Sequence, residues 1–365
     1  MDTRHAGRLG RDVGVIGLGC WQLGADWGQV EESDALAVLG AAVDAGVTFL
    51  DTADVYGDGR SETIVGRFLK ARGAASGPGS VGAGLVGSGS VGSGSVGAGS
   101  VGADSSVGAG SAGPITVATK MGRRVEQTPE NYSRENFVAW NDRSRTNLGV
   151  DTIDLVQLHC PPTPVYSRDE VYDALDEMVA QRRIAAYGVS VETADEALTA
   201  IARPGTAAVQ IILNAFRQKP LERVLPAAAE AGVAIIARVP LASGLLSGRY
   251  SASTTFGADD HRTFNRGGEA FDVGETFAGV PYEVGLEAVE RLRPLLPPAA
   301  TMAQFALRWI LDQPALTVVI PGARNAEQAG ANAAAADLAP LGAQTHAAVR
   351  VVYDDLIRPH VHTRW

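Results

Sequence analysis

The chain has 365 residues, of which 45% are hydrophobic and 20% are charged, and its formal net charge is −10. This composition is typical of a folded globular protein with a full-sized core. The acidic excess argues against nucleic acid or an anionic membrane as a partner, because phosphates bind to basic surfaces. No run of about twenty apolar residues predicts a membrane span, and no signal peptide is visible. We therefore expect a cytoplasmic protein. Its only two cysteines, Cys20 and Cys160, could form a disulfide, although so few cysteines are typical of a reducing compartment.

Short apolar runs alternate with amphipathic segments along the chain. The runs predicted to be strands are 13–18, 47–50, 115–118, 153–158, 185–189, 208–213, 233–237 and 317–320. The segments predicted to be helices are 33–45, 133–148, 170–181, 194–202, 221–231, 301–311 and 326–336. Strands that alternate with helices indicate a parallel sheet, and eight of them favour a closed (β/α)8 TIM barrel over two open sheets. Since no change of composition marks a boundary, we predict one α/β domain spanning residues 1–365.

Two segments are predicted to be loops. Residues 73–113 are almost entirely Gly, Ser, Ala and Val, and related pentapeptides recur at 86–90, 91–95 and 96–100. Such small side chains cannot offset the entropy lost on ordering the backbone, so this insertion is predicted to be disordered. A tolerated insertion is favoured over a tether for a partner, because long loops add closure entropy slowly. Residues 250–279, rich in Gly, Asp and Phe, are predicted to form a mobile loop over the barrel mouth, called the mouth loop below.

Polar residues follow several predicted strands, at the end of a (β/α)8 barrel where catalytic groups lie. They are Asp51, with Tyr56 soon after it, Lys120, His159, Ser190 and Arg238. A tyrosine hydroxyl can donate the proton that carbonyl reduction requires, and the ammonium of Lys120 is expected to lower the pKa of Tyr56. Asp51 would hold Lys120, His159 would orient the substrate oxygen, and a bound nicotinamide would supply the hydride. Each residue alone could be structural, but four compatible groups at consistent positions favour a catalytic site.

Five motifs, in order, resemble those of the aldo-keto reductase family. They are DTADVYG at 51–57 with Ser61 and Glu62 after it, ATKMG at 118–122, DLVQLH at 154–159, YGVS at 187–190 and IPGAR at 320–324. The resemblance extends from about Leu9 to the last helices and leaves out only the Gly/Ser-rich insertion. It implies a (β/α)8 barrel that reduces aldehydes or ketones to alcohols, or catalyses the reverse reaction, with NADP(H) as cofactor and a small carbonyl compound as its partner.

The resemblance also implies roles for individual residues. It assigns the catalytic tetrad to Asp51, Tyr56, Lys120 and His159. It assigns cofactor binding to Gly19, Cys20, Trp21, Ser190, Gln210, Arg238, Pro240, Leu241, Gly244, Leu246, Ser247, Gly248, Ile320, Gly322, Arg324, Gln328 and Asn332. The position of Trp21 after the first strand favours a wall of the substrate pocket, with Tyr56 and His159, over a plug beneath the barrel rim. Arg324, Gln328 and Asn332 would share one face of the last barrel helix, with Arg324 on a 2′-phosphate. No metal site is expected.

The chain departs from the family pattern at three positions of the predicted cofactor site. Val191 replaces a frequent asparagine, Arg238 a frequent aromatic residue and Gly322 a frequent lysine. Because Arg324 is then left nearly alone to recognise a 2′-phosphate, the resemblance favours NADP(H) and leaves NAD(H) open.

Two functions of other classes stay open. One is a regulatory or sensor subunit that binds NADPH on the same fold and acts through partners. The other is a Schiff-base lyase in which Lys120 is the nucleophile. The complete tetrad favours carbonyl reduction over both.

Overall fold

Eight parallel strands form a sheet whose two edges join, so that the sheet closes into a barrel. The structure, a computed structural model, describes residues 1–24, 30–73 and 113–365; the predicted Gly/Ser-rich insertion lies, apart from its two end residues, outside them. Strands that follow one another in the chain are neighbours in the sheet. Parallel bridges from Ile16 to Val319 and from Gly19 to Gly322 join the first barrel strand to the last. The predicted (β/α)8 barrel is therefore confirmed.

The elements follow one another in the alternating order that the sequence predicts. The strands are β1 (Thr3–His5), β2 (Asp12–Gly14), β3 (Leu18–Gly19), β4 (Phe49–Asp51), β5 (Thr116–Met121), β6 (Ile153–His159), β7 (Ile184–Ser190), β8 (Thr206–Ile212), β9 (Ala234–Arg238) and β10 (Val318–Val319). The helices are α1 (Glu32–Asp44), α2 (Arg60–Ala71), α3 (Arg134–Leu148), α4 (Asp169–Ala180), α5 (Ala194–Ile201), α6 (Pro220–Ala231), α7 (His261–Phe264), α8 (Tyr282–Leu292), α9 (Met302–Leu311), α10 (Ala326–Ala333), α11 (Ala343–Val352) and α12 (Arg358–Val361). None of these helices is long and apolar enough to cross a membrane.

The prediction of one continuous strand over residues 13–18 is wrong. β2 pairs antiparallel with β1 in a separate hairpin, whereas the chain from Ile16 through β3 joins the barrel. The hairpin and the turn within it bury Ala6, Leu9 and Val13 against the barrel interior. Residues 13–18 therefore belong partly to the hairpin and partly to the barrel. Hydrophobic periodicity alone cannot show where one ends and the other begins.

Two apolar layers stabilise the barrel. The inner layer fills the barrel with side chains from most of its strands, and it includes Phe49, Ala118, Leu155, Ala208, Ala234, Ile236, Val318 and Ile320. The outer layer lies between the strands and the surrounding helices, with fully buried residues such as Phe137 and Leu175. Because side chains fill the interior, the barrel is a packed core, and ligands are expected only at its mouth.

The helices α2, α7, α8, α11 and α12 are absent from the sequence prediction. Of these, α2 and α8 each contain a glycine, which weakens a helical pattern. A Cβ atom at Gly66 of α2 would lie 2.6 Å from the carbonyl oxygen of Leu148. The glycine therefore lets α2 pack closely against the end of α3, a tertiary requirement that the local sequence does not reveal.

A similar close approach within the sheet gives a testable prediction. At Gly188 of β7 a Cβ atom would lie 2.4 Å from the carbonyl oxygen of Ala208 on β8. The substitution Gly188→Ala is expected to lower the free energy of unfolding by about 1–3 kcal/mol, because the two strands must move apart. Gly40 of α1 is the matched control: no atom lies within 4 Å of its Cβ position, so Gly40→Ala is expected to stabilise by about 0.5–1 kcal/mol. Urea unfolding measures both, and equal stability of the two variants would contradict the prediction.

Candidate active site

The carboxyl ends of neighbouring barrel strands bring five of the predicted site residues together. Asp51 ends β4, His159 ends β6 and Ser190 ends β7, and Lys120 lies one residue before the end of β5. In the strand register His159 is opposite Ser190, and Ser190 is opposite Gln210 of β8. Parallel strands end on the same side of a barrel, so these side chains form one polar surface at the mouth.

Lys120 forms a buried ion pair at this surface. Its Nζ donates to Asp51 Oδ1 at 2.5 Å and to the hydroxyl oxygen of Tyr56 at 3.4 Å. The second carboxylate oxygen of Asp51 accepts hydrogen bonds from the side-chain amides of Gln157, at 3.1 Å, and Gln210, at 2.8 Å. Lys120 is only 1% exposed. Because three donors converge on one buried carboxylate, Asp51 fixes the position of the ammonium beside Tyr56.

The three predicted pocket residues are neighbours. Trp21 stacks on Tyr56 with ring centroids 5.8 Å apart, and Tyr56 meets His159 edge to face at 5.9 Å. Trp21 also contacts His261 at 5.2 Å and Phe271 at 5.9 Å, both in the mouth loop. The mouth loop thus packs against a wall of the predicted pocket, and it contains α7 and two short 3-10 turns rather than only irregular chain.

Burial and charge together set the protonation of these groups. Burial lowers the pKa of His159 well below its usual value, and the positive charges of Arg123 and Lys120 lower it further, so the imidazole is neutral. Burial raises the pKa of Tyr56, although the charge of Lys120 opposes this. Burial alone would lower the pKa of Lys120, but Asp51 and Tyr56 raise it, so the ammonium stays charged. Lys120 thus lowers the pKa of Tyr56 as predicted, but the burial of the phenol outweighs this charge, so the pKa of Tyr56 lies above its ordinary value.

The predicted pyrophosphate loop, residues 240–248, turns sharply after β9. The backbone is left-handed at Ala242, Ser243 and Gly244, with φ of 48°, 53° and 96°, and Ser247 Oγ donates to the carbonyl oxygen of Gly244 at 2.6 Å. The predicted cofactor residues in this turn are Pro240, Leu241, Gly244, Leu246, Ser247 and Gly248. A compact turn of small residues lets backbone N–H groups approach the oxygens of a phosphate.

The strand β3 and the chain after β10 complete the ring of strand ends at the mouth, between β4 and β9. Gly19 is bridged to Gly322, and Ile320 just before this bridge is buried. The thiol of Cys20 is buried, with its Sγ 3.6 Å from the carbonyl oxygen of Leu18. The backbone N–H of Cys20 donates to the carbonyl oxygen of Asp51, and its own carbonyl oxygen accepts from the hydroxyl of Ser61. Both Cys20 and Cys160 are free thiols. The disulfide that the sequence allows between them is therefore not formed.

The chain around the start of α10 carries the predicted adenosine site. Asn332 donates to the carbonyl oxygen of Gly322 at 3.1 Å, and Gln328 accepts from the backbone N–H of Arg324 at 2.9 Å. The prediction that Arg324 shares a helix face with these residues is wrong, because Asn325 is the N-cap and Arg324 precedes the helix. Arg324 is exposed, and among the described residues its guanidinium has no carboxylate partner. A free guanidinium near a helix N-terminus fits a phosphate group.

Three charged side chains that the sequence analysis does not predict join Arg238 at the mouth. Arg238 donates to Glu192 at 2.7 Å and lies 3.7 Å from Glu275 of the mouth loop. Arg123 donates to Glu275 at 3.2 Å and lies 3.7 Å from Glu192. Cys160 borders this group, with its Sγ 3.7 Å from Arg238. We refer to Arg123, Glu192, Arg238 and Glu275 as the charge cluster.

The two carboxyls of the charge cluster differ in protonation. Burial raises the pKa of Glu192 to about 7, although Arg238 acts in the opposite direction. Burial would also raise the pKa of Glu275, but Arg123 and Arg238 outweigh it and lower that pKa to about 2. At neutral pH the cluster thus contains two guanidinium ions, one carboxylate that is fully ionised and one that is titrating.

Comparison with known proteins identifies the family. The model described as "Aldo/keto reductase family" matches residues 15–80 and 98–354, which is most of the chain. The chain belongs to the aldo/keto reductase family.

Similar aldo-keto reductases match this chain along most of its length. "Aldo-keto reductase YhdN" from Bacillus subtilis (strain 168) is 28% identical and covers 90% of this chain and 86% of its own. "Aldo-keto reductase yakc" from Schizosaccharomyces pombe, which has NADP(+) in its name, is 26% identical and covers 87% and 82%. The solved structure of the glycerol dehydrogenase AKR11B4 from Gluconobacter oxydans has a TM-score of 0.71 at 26% identity and covers 99% and 96%.

Several residues at the mouth of this aldo-keto reductase are not predicted from the sequence, although some of them carry a signal that could have identified them. Gln157 lies two residues before His159 and thus on the same face of β6, a signal that could have identified it. Arg123 and Glu192 lie just beyond two of the quoted motifs, where only their charge marks them. Glu275 gives no comparable signal, because its place depends on the path of the mouth loop.

Proposed function

We propose that this chain is an NADP(H)-dependent oxidoreductase that reduces aldehyde or ketone carbonyls to alcohols, or catalyses the reverse reaction. The observation that carries the proposal is the contact of Lys120 with Tyr56 and Asp51, in a buried cluster at the carboxyl end of the barrel. A charged ammonium beside a phenol is suited to a reaction in which the phenol gives up a proton and regains it.

The residues at the mouth divide the chemistry of reduction between them. Reduced nicotinamide, when bound, supplies a hydride to the carbonyl carbon. Tyr56 gives its phenolic proton to the carbonyl oxygen as the C=O π bond breaks, so the product is the alcohol and Tyr56 is left as a phenolate. Lys120, held by Asp51, stabilises that phenolate by its charge. The neutral imidazole of His159 donates a hydrogen bond to the same oxygen and orients it.

The polar groups around the mouth are suited to hold the cofactor in an extended form. We assign the carboxamide to Ser190 and Gln210, the pyrophosphate to the turn at 240–248, and a 2′-phosphate to Arg324. The amide nitrogen of Gln210 is engaged with Asp51 at 2.8 Å, so its contribution to the carboxamide would come from its oxygen. The fission-yeast relative with NADP(+) in its name supports NADP(H) as the cofactor.

The assignment of Arg324 predicts a selective loss of affinity. The substitution Arg324→Ala is expected to raise the Kd for NADPH about 10- to 100-fold, because a hydrogen-bonded charge pair is lost, and to leave the Kd for NADH unchanged. Fluorescence titration with each nucleotide measures both constants. Arg223→Ala is the matched control, since Arg223 is exposed on α6 and pairs only loosely with Asp195. Equal losses for both nucleotides would contradict the assignment.

Steady-state assays with a panel of small aldehydes test the proposed reaction. NADPH absorbance is expected to fall in step with formation of the alcohol. Binding of NADPH with no turnover across the panel would overturn the proposal in favour of a regulatory or sensor subunit. Covalent trapping of a carbonyl compound on Lys120 by borohydride would overturn it in favour of a Schiff-base lyase.

A further inference from the structure

The charge cluster contains a carboxylate bound by two arginines, and the carboxylate comes from the mouth loop. Glu275 ends a short 3-10 turn, Val273–Glu275, whereas Arg123 and Arg238 stand on the barrel itself, beside the ends of β5 and β9. The two oxygens of Glu275 face different guanidiniums, Oε1 at 3.2 Å from Arg123 and Oε2 at 3.7 Å from Arg238. Guanidinium groups bind carboxylates through charge-assisted hydrogen bonds, so the two arginines that face Glu275 are also suited to the carboxylate of a ligand.

The cluster lies beside the groups that would act on a substrate. The Nε of Arg123 donates to the carbonyl oxygen of His159 at 3.2 Å, which fixes this guanidinium relative to the imidazole. The charges of Arg123 and Glu275 both act on the pKa of Tyr56, and the charge of Arg238 acts on that of His159. A carboxylate in the place of Glu275 would therefore be within electrostatic range of the reacting carbonyl.

The arginines keep hydrogen-bonding capacity that Glu275 does not use. The Nε of Arg238 is buried and has no hydrogen-bond partner among the described residues. Buried polar groups of this kind are rare in folded proteins and point to a ligand or a rearrangement that completes them.

The chain that carries Glu275 is held in place against local strain. Phe277 and Ala278, just after it, both have left-handed backbones, with φ of 52° and 59°, which residues with a Cβ atom rarely adopt. Ser243 holds this stretch, donating to the carbonyl oxygen of Glu275 at 3.0 Å and accepting from the N–H of Phe277 at 3.0 Å. Such strain persists only while the surrounding contacts maintain it, so displacement of Glu275 would also release strained backbone.

We propose that Arg123 and Arg238 form a carboxylate-recognition site, which Glu275 fills as an internal ligand, and that the substrates of this enzyme are carbonyl compounds with a carboxylate group. Arg123 makes the main contact, because its guanidinium is fixed to the backbone of His159, and Arg238, which lies on the other oxygen of Glu275, assists. This inference rests on the proposed function for the carbonyl chemistry, whereas carboxylate binding itself does not.

Exchange of one carboxylate for another explains how the site could bind an anion in a negatively charged protein. When a substrate carboxylate replaces Glu275, the charge around Arg123 and Arg238 does not change, and no buried guanidinium is left unpaired. A neutral substrate offers no such replacement: it must either leave Glu275 in place or expose two guanidiniums with only Glu192 beside them. The site therefore discriminates between an acid and its ester.

The test compares succinic semialdehyde with its methyl ester, which is similar in shape but neutral. In the wild-type enzyme kcat/KM is expected to be at least about tenfold higher for the acid. Arg123→Met is expected to reduce this ratio to about one or below, and Arg123→Lys, which keeps the charge but loses the planar fork, to give an intermediate ratio. Arg124→Met is the matched control, because the neighbouring Arg124 pairs with the exposed Asp58 instead, and its ratio is expected to equal that of the wild type.

A second variant tests the role of Glu275 as an internal ligand. Glu275→Gln keeps the shape of the side chain and removes its charge, so it is expected to lower KM for the semialdehyde and leave KM for the ester unchanged. A purely structural role of Glu275 would instead raise KM for both substrates. A wild-type enzyme that uses acid and ester equally well, or an Arg123→Met variant that keeps the preference for the acid, would overturn the proposal.

A binding measurement separates failure of this proposal from failure of the proposed reaction. Succinate, which cannot be reduced, is expected to raise the Tm of the NADPH-saturated wild-type protein, and neutral succinamide is not. The effect is expected to disappear in Arg123→Met and to persist in Arg124→Met. Binding of succinate that requires Arg123, together with no turnover of any aldehyde, would support the carboxylate site and overturn the proposed function. Equal effects of succinate and succinamide would overturn the carboxylate site.

Discussion

Replacement of Tyr56 by phenylalanine is expected to lower kcat/KM for aldehyde reduction by about 10²- to 10⁴-fold, the usual contribution of a general acid. The phenylalanine keeps the ring that stacks on Trp21 at 5.8 Å, so the pocket should keep its shape and lose only the proton donor. The affinity for NADPH is expected to remain near the wild-type value. Steady-state kinetics and nucleotide titration of the same preparation measure the two effects.

Tyr172→Phe serves as the matched control, because the hydroxyl of Tyr172 on α4 is buried without a hydrogen-bond partner in the described part of the chain, and its loss should leave turnover unchanged. The pH profile gives a second measurement. Since burial raises the pKa of Tyr56 above its ordinary value near about 10, the acid stays protonated through neutral pH, and reduction is expected to decline only in strongly alkaline solution. An active Tyr56→Phe variant, or a wild-type decline near neutral pH, would show that another group is the acid.

The sequence predicts most of the barrel, because alternation of apolar strands with amphipathic helices is a local property. It misplaces the first strand, since 13–18 serves both a hairpin and the barrel. It also misses α2, whose Gly66 is required by contact with Leu148 on a different helix. Both errors have the same origin: a residue was selected for a contact with a distant part of the chain, and that contact leaves no periodic signal in its own neighbourhood.

The candidate site is predictable to the extent that its residues stand at strand ends. Asp51, Lys120 and His159 are found in this way, because the fold fixes where every strand end lies. The protonation of Tyr56 is not predictable, since it depends on how far burial outweighs a neighbouring charge. Glu275 is the extreme case: its contact with Arg123 spans 152 positions in the chain, and only the folded mouth loop reveals it.

Replacement of Lys120 by methionine is expected to have the second large effect, on stability as well as on turnover. The variant leaves the Asp51 carboxylate buried, 3% exposed, with two amide donors but no cation. Breaking a buried ion pair from one side is expected to lower the free energy of unfolding by about 3–5 kcal/mol. Turnover is expected to fall by about 10²-fold or more, because the phenolate of Tyr56 loses its stabilising charge. Urea unfolding and steady-state kinetics measure the two losses separately.

The double variant Asp51→Asn/Lys120→Met distinguishes an unpaired charge from a packing defect. It removes both charges at nearly constant volume, and the new amide side chain at position 51 would still offer an oxygen to the amide of Gln157 or Gln210. Most of the lost stability is therefore expected to return, while turnover stays as low as in Lys120→Met. If the double variant were as unstable as the single one, the loss would come from packing around residue 120. If turnover returned with stability, the ammonium would have no part in the chemistry, and its role beside Tyr56 would be only to hold the fold.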